Sequence, residues 1–226
     1  LPISDIFLPF ARDTAIRDNA LYFYDLNGKI NYTLNENNRF YLSGYYGKDV
    51  FENDFAGMRF GNRTFTFRWN HLFSKKLFSN FTLVHSRYFY DLGTPEGEIP
   101  YFNWNASLID YALKADLTWY PAPEHTLRFG GSSKFHTIAP GNITTTAEEN
   151  QGTETELPYN HALENGVYLS VQSRLGPSLS LRSGLRISSF HNVGAATVYS
   201  YDDQYKVTDS TMYEKGDFFN HYFALE

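Results

Sequence analysis

Hydrophobic and polar residues alternate with a period of two over much of this chain, most clearly between positions 63 and 92. Side chains point alternately to the two faces of a β-strand, so a strand over 63–73 would have one apolar and one polar face. The apolar positions of this arm are Phe65, Phe67, Trp69, His71 and Phe73. Because only Ser74-Lys75-Lys76 separates it from a second alternating arm, the pattern predicts an antiparallel hairpin.

The same alternation predicts about nine strands in all. Their predicted bounds are 20–34, 39–51, 63–73, 77–92, 107–120, 126–137, 161–175, 179–190 and 218–226. Residues 1–19 contain two prolines and no sustained period, and we expect a loop that leads into the sheet. Most of these strands exceed the ~5–6 residues of an ordinary strand, which is typical of a membrane-spanning barrel wall.

The lengths of the connections alternate along the chain. Short connections follow Leu34, Phe73, Tyr120 and Leu175, whereas longer ones follow Phe51, Leu92, Thr137 and Phe190. Outer-membrane barrels have short periplasmic turns and longer extracellular loops. The order therefore favours an antiparallel transmembrane β-barrel over a soluble sandwich.

Composition narrows the class of protein. The 226 residues carry a formal net charge of −6, no cysteine and 18% aromatic residues. No segment approaches the ~20 apolar residues of a transmembrane helix, and the mild acidity argues against a nucleic-acid partner. Many aromatic residues in a polar chain suit a transmembrane barrel. They also suit a soluble β-sandwich that binds glycans, so composition alone leaves both open.

Charged residues recur on the polar side of the predicted strands. They are Lys29, Arg68, Lys114, Asp116, Arg128, Lys134, Arg182 and Arg186. A Lys or Arg that faces lipid at the membrane midplane costs about 2–4 kcal/mol. In a barrel we therefore expect these residues to face a water-filled or plug-filled lumen. In a sandwich the same residues would lie on the solvated outer face, and charge alone does not separate the two cases.

The sequence contains no recognisable catalytic constellation or cofactor motif, and we expect a protein that is not an enzyme. The seven histidines are scattered without the spacing of a metal site. The candidates for ligand contact are aromatic residues of two longer connections, namely Tyr101, Phe102, Trp104, Tyr199, Tyr201 and Tyr205. Such rings suit sugars, siderophores or other amphipathic ligands. Alternatively, they pack the loops together or form the outer aromatic girdle.

Several stretches are similar to a known family. Residues 23–32 (FYDLNGKINY), 42–51 (LSGYYGKDVF) and 60–73 (FGNRTFTFRWNHLF) resemble the barrel of TonB-dependent outer-membrane receptors. The likeness is greatest to the Bacteroidetes type, which has an N-terminal carboxypeptidase-like regulatory domain before its plug. Gly184-Leu185-Arg186 and the terminal Ala224-Leu225-Glu226 are similar to recurring strand phrases of that family.

The resemblance implies a plugged barrel of about 22 strands in the bacterial outer membrane. It would import a scarce nutrient (a siderophore, vitamin, glycan or peptide) with energy transmitted by TonB. The implied partners are the TonB complex, through an N-terminal part of the protein, and membrane lipid and lipopolysaccharide. A surface lipoprotein is a further candidate partner. Because we find about nine strands and no plug or TonB-binding segment, we expect an internal segment of a larger chain. A passive porin-like barrel is the alternative function.

Overall fold

The structure, a computed structural model, describes residues 20–95, 100–148 and 151–226. The loop predicted for residues 1–19 lies outside these residues. Twelve strands make up the described chain: β1 (Ala20–Asn35), β2 (Asn38–Glu52), β3 (Gly57–Ser74), β4 (Leu77–Gly93), β5 (Tyr101–Ala122), β6 (His125–Glu148), β7 (Gln151–Glu156), β8 (Asn160–Arg174), β9 (Ser180–Val193), β10 (Ala196–Tyr201), β11 (Val207–Tyr213) and β12 (Phe218–Leu225). Within these ranges no helix is long and apolar enough to cross a membrane.

Ten of the strands form one antiparallel sheet. Its order is β1-β2-β3-β4-β5-β6-β8-β9-β12, with β7 paired to the outer part of β6, and β10 and β11 form a separate hairpin. The predicted fold class, an antiparallel segment of barrel wall, is confirmed. A sandwich would need two sheets packed face to face around a core. Among the described residues only Val50, Ala112, Ala162 and Phe219 are buried hydrophobic side chains, so the soluble sandwich interpretation is wrong.

The register divides the large sheet into two faces, because directly paired residues point to the same side. One row of paired residues is Leu42, Phe67, Leu83 and Leu113. The adjacent row on the opposite side is Tyr41, Arg68, Thr82 and Lys114. We call the side of Leu83 the apolar face and the side of Arg68 the polar face.

Strand β3 begins at Gly57, six residues before the predicted start at position 63. The added stretch contains Gly57 and Gly61, and glycine ordinarily weakens a strand. In the sheet, a Cβ at Gly61 would lie 2.5 Å from both the Gly47 carbonyl oxygen and the Phe89 ring. Glycine is therefore required where the Phe89 ring crosses β3, and pairing with β2 and β4 continues past it.

Strands β5 and β6 also extend beyond their predicted bounds of 107–120 and 126–137. Proline and glycine ordinarily weaken a strand, but the sheet absorbs Pro140 and Gly141 as a bulge between the pairs Ser107–Ala139 and Asn105–Asn142. Gly141 has a φ of 147°, a conformation that favours glycine. Beyond the bulge, the β-branched run 143–146 continues the strand.

Three further strands lie in segments that the sequence predicted to be loops. Strand β7 pairs with β6 from Asn142 to Glu148. Strands β10 and β11 form a hairpin within the predicted loop 191–217. Each of these strands has only six or seven residues, which is too short for periodicity alone to identify a strand.

Candidate functional site

The polar face carries all eight charged residues that the sequence assigned to a lumen. The list is Lys29 (β1), Arg68 (β3), Lys114 and Asp116 (β5), Arg128 and Lys134 (β6), and Arg182 and Arg186 (β9). Their pairing rows place them on the same side of the sheet. That this side faces a lumen stays a prediction, and these eight residues share one face as a barrel wall requires.

A hydrogen-bonded cluster crosses three strands on the polar face. His136 Nδ1 lies 2.7 Å from Asp110 Oδ1, and His136 Nε2 lies 3.5 Å from Glu164 Oε2. Lys134 Nζ donates to the same Glu164 oxygen at 3.2 Å. Sequence alone does not reveal this cluster, because Asp110 and Glu164 are 26 and 28 positions from His136 and meet it only through the register. It ties β5, β6 and β8 together at the end of the sheet nearer the long connections.

A second contact lies nearer the short turns. Tyr168 on β8 donates its hydroxyl to Asp116 Oδ1 on β5 at 2.6 Å, and the ring reaches across β6 at Gly130. A Cβ at Gly130 would lie 3.0 Å from the Tyr168 ring and 2.3 Å from the Ala115 carbonyl oxygen. The absence of a side chain at Gly130 therefore leaves the space that the Tyr168–Asp116 hydrogen bond needs.

Five of the predicted lumen cations are exposed, namely Lys29, Arg68, Lys114, Arg128 and Arg182. Among the residues that the structure describes, none has a carboxylate within 4.0 Å. Lys29 lies 5.7 Å from the centre of the Tyr41 ring. The part of the polar face nearer the short turns thus presents cationic hydrogen-bond donors to the space that is predicted to be the lumen.

The first predicted group of ligand-contact aromatics is held in strand β5 and not in a loop. Trp104 Nε1 donates to the Pro140 carbonyl oxygen at 3.0 Å, and its ring meets Tyr90 edge-on at 5.8 Å. Phe102 lies on the same side of β5 as Trp104, whereas Tyr101 points to the opposite side. All three are half-buried. Trp104 thus packs against the neighbouring strands, and contact of these rings with a ligand stays a prediction.

The second predicted group lies on the β10–β11 hairpin. Tyr199 and Tyr201 point to one side of β10, at 51% and 58% exposure. Tyr205 lies in the turn, 89% exposed, with a φ of 60°. Asp202 Oδ1 fixes this turn by accepting backbone N–H groups of Gln204 and Lys206 at 2.9 Å each. The hairpin therefore holds three tyrosine rings in solvent.

Two apolar side chains that the sequence pattern did not single out lie on the same side of the hairpin as these rings. Met212 is paired with Thr197 and Val207 with Tyr201, and they are 80% and 49% exposed. Their side chains share the side of Tyr199, so we call Tyr199, Tyr201, Val207 and Met212 the hairpin platform. Recognising β10 and β11 as strands would have found it. The two aromatic groups belong to different sheets, and the structure does not join them into one site.

Known proteins offer comparisons in structure only. No family model matches the sequence, and neither does any curated protein. The chain is similar to the copper transporter OprC, with a TM-score of 0.63 and 10% identity over 91% of this chain and 33% of that one. The likeness is one of fold. The ferric preacinetobactin receptor BauA from Acinetobacter baumannii is similar over 80% of this chain and 35% of its own, with a TM-score of 0.56 and 10% identity.

A third similar structure is the ferric-catecholate import receptor Fiu from E. coli K12. Its TM-score is 0.56 with 11% identity, over 91% of this chain and 43% of that one. The chain therefore spans only 33% to 43% of the length of these three proteins. At such identities the comparison supports the barrel-wall fold and assigns no ligand.

Proposed function

We propose that this chain forms part of the wall of a TonB-dependent receptor in the bacterial outer membrane, which imports a scarce nutrient through a plugged barrel. The observation that carries the proposal is the confinement of the eight charged residues to one face of a single-layered sheet. Lipid would penalise a Lys or Arg at mid-depth by about 2–4 kcal/mol, whereas a polar lumen or plug would not. The opposite face carries rows such as Leu42, Phe67, Leu83 and Leu113.

Two further observations support a receptor. The stretches 23–32, 42–51 and 60–73 resemble TonB-dependent receptors, and the structures of similar fold are named as a transporter, a receptor and an import receptor. A closed barrel has no free edges, and unsatisfied backbone groups in lipid cost several kcal/mol each. The proposal therefore places further strands of the barrel beside β1 and β12, the two edges of the sheet. The Bacteroidetes type, with its regulatory domain, is the finer form of this proposal and rests on those stretches alone.

The nutrient would first meet the protein at the end of the sheet where the long connections lie. The hairpin platform offers aromatic and thioether surface together with the tyrosine hydroxyl groups. Such a surface suits an amphipathic ligand, since rings stack on apolar faces while hydroxyl groups orient polar ones. The proposed partners follow from the receptor type: the TonB complex, outer-membrane lipid and a surface lipoprotein.

Two measurements on the protein that carries this chain test the proposal. It should fractionate with the outer membrane, require detergent, and bind the immobilised periplasmic part of TonB. In planar bilayers it should give no steady ionic conductance, because a plug fills the lumen. Steady conductance without TonB binding would support the porin-like alternative, and a water-soluble monomer would refute the membrane location.

A further inference from the structure

Two arginines interrupt the apolar face near the long connections. Arg63 of β3 and Arg87 of β4 are directly paired across the sheet, and Tyr46 and Ile109 continue the same row on either side. Like charges directly opposite each other destabilise a sheet. A lumen cannot explain them, because they point away from the polar face. Their juxtaposition calls for a neutralising anion.

Neither arginine is neutralised by the described part of the protein. No described carboxylate lies within 4.0 Å of either guanidinium group. Arg87 Nε is buried and has no hydrogen-bond partner among the described residues. By contrast, Arg59, four residues nearer the long connection, is paired with Glu52. The pair Arg63 and Arg87 is therefore free to accept an anion.

A cleft adjoins this pair on the same side of the sheet. Its volume is about 220 Å³, and its walls include Arg87, Phe89, Asp91, Asn105, Asn142 and Glu156. The bulge at Pro140–Gly141 forms one wall of the cleft, and Leu157 contributes to another. The Leu157 N–H donates to the Gly141 carbonyl oxygen at 3.0 Å, which holds these two walls together. Asn142 Oδ1 is buried without a partner among the described residues. The cleft thus has a cation near one end and oxygen acceptors towards the other.

The position of the pair along the strand indicates where such a ligand would come from. Arg87 is ten residues from Leu77, where β4 begins. At ~3.3 Å per residue and a tilt of ~40°, it stands about 25 Å above the short turns. This equals the height of about 25 Å of the apolar band on a barrel. Phe65 and Leu83 lie below it on the same face, so an anion bound by Arg63 and Arg87 would sit directly above lipid chains.

We propose that Arg63, Arg87 and the adjoining cleft bind the phosphorylated sugar head group of an outer-leaflet glycolipid. The phosphate accepts hydrogen bonds from both guanidinium groups, and charge-assisted bonds of this kind are among the strongest in proteins. Hydroxyl groups of the sugar donate to Asp91, Glu156 and Asn142 Oδ1. The acyl chains run down the apolar face. The inference rests on the proposed membrane location and adds a lipid site to it.

The test uses the protein that carries this chain, inserted in phosphatidylcholine nanodiscs. Lipid A with both phosphates is titrated in, and bound lipid is counted by native mass spectrometry. The double variant R63Q/R87Q should bind it at least about tenfold more weakly, since two charge-assisted bonds are lost. The variant R63K/R87K should retain part of the affinity. R68Q/R128Q removes two arginines from the polar face and should bind as the wild type does.

The outcomes separate this inference from the proposed function. Failure of the protein to insert into nanodiscs would refute both. Insertion with equal binding of phosphorylated and dephosphorylated lipid A, or an unaltered affinity of R63Q/R87Q, would overturn the lipid site alone. Binding of inorganic phosphate as tight as that of lipid A would show a soluble anion as the ligand and would also overturn it. Without lipid A, R63Q/R87Q should be at least as stable as the wild type, because two opposed charges are removed.

Discussion

Replacing Leu83 with arginine places a charge on the apolar face at the depth where lipid should oppose it most. Leu83 is six residues from the start of β4 and is paired with Phe67 and Leu113. At ~3.3 Å per residue and a tilt of ~40° it stands about 15 Å above the short turns. This is close to the middle of an apolar band of about 25 Å, so Leu83→Arg should lower the free energy of unfolding by about 2–4 kcal/mol.

Two matched substitutions separate the effect of depth in the membrane from the effect of the face of the sheet. Leu163 lies on the same face but eleven residues from the end of β8, about 28 Å above the turns, where an arginine should cost only ~0–1 kcal/mol. Thr66 lies on the polar face between Ser43 and Val84. Thr66→Arg adds the same charge without exposing it to lipid, and its effect should stay within about 1 kcal/mol.

The assay is reversible guanidinium unfolding of the protein that carries this chain from phosphatidylcholine vesicles, followed by tryptophan fluorescence. Leu83→Arg should destabilise the protein far more than Leu163→Arg does. The effect of Thr66→Arg should be equal to or smaller than that of Leu163→Arg. If Leu83→Arg and Thr66→Arg have the same effect, the two faces of the sheet have the same surroundings. The assignment of lipid and lumen would then be wrong.

Two other predictions concern local structure. Gly130→Ala should destabilise the protein by about 1–3 kcal/mol, because the new Cβ collides with backbone at 2.3 Å and displaces Tyr168 from Asp116. Gly44→Ala, with no atom within 4 Å of its Cβ, should be neutral or slightly stabilising in the same unfolding assay, and equal losses would contradict this. At Tyr205, with φ of 60°, asparagine should keep the turn, whereas valine should open the hairpin to limited proteolysis; equal cleavage of both variants would refute the argument.

Long strands and their faces could be predicted from the sequence because the evidence is local. A period of two over ten or more residues fixes which side chains share a face, and each strand reports it independently. The prediction therefore placed Lys29 and Arg186 on the same kind of face without knowledge of which strands pair. Strand ends were less predictable, since glycines such as Gly61 count against a strand by propensity. The role of Gly61 is evident only in the structure, where the Phe89 ring crosses it.

The candidate sites depend on pairing, which the sequence does not state. The contact of Tyr168 with Asp116 joins positions 52 apart through the gap at Gly130. The juxtaposition of Arg63 and Arg87 arises from the register of β3 and β4. The sequence nevertheless contains a signal for Arg63 and Arg87, because each places a charge at a position where the alternation predicts an apolar residue. Short strands such as β10 carry too few periods for such an argument.

The central claim, that one face of the sheet meets lipid and the other does not, can be measured residue by residue on β8. The 226 residues contain no cysteine, so single cysteines at positions 167 to 172 offer one thiol each for a fluorophore. In vesicles that contain a lipid-attached quencher, labels at 167, 169 and 171 should be quenched and those at 168, 170 and 172 should not. Uniform quenching, no quenching, or the opposite alternation would contradict the account.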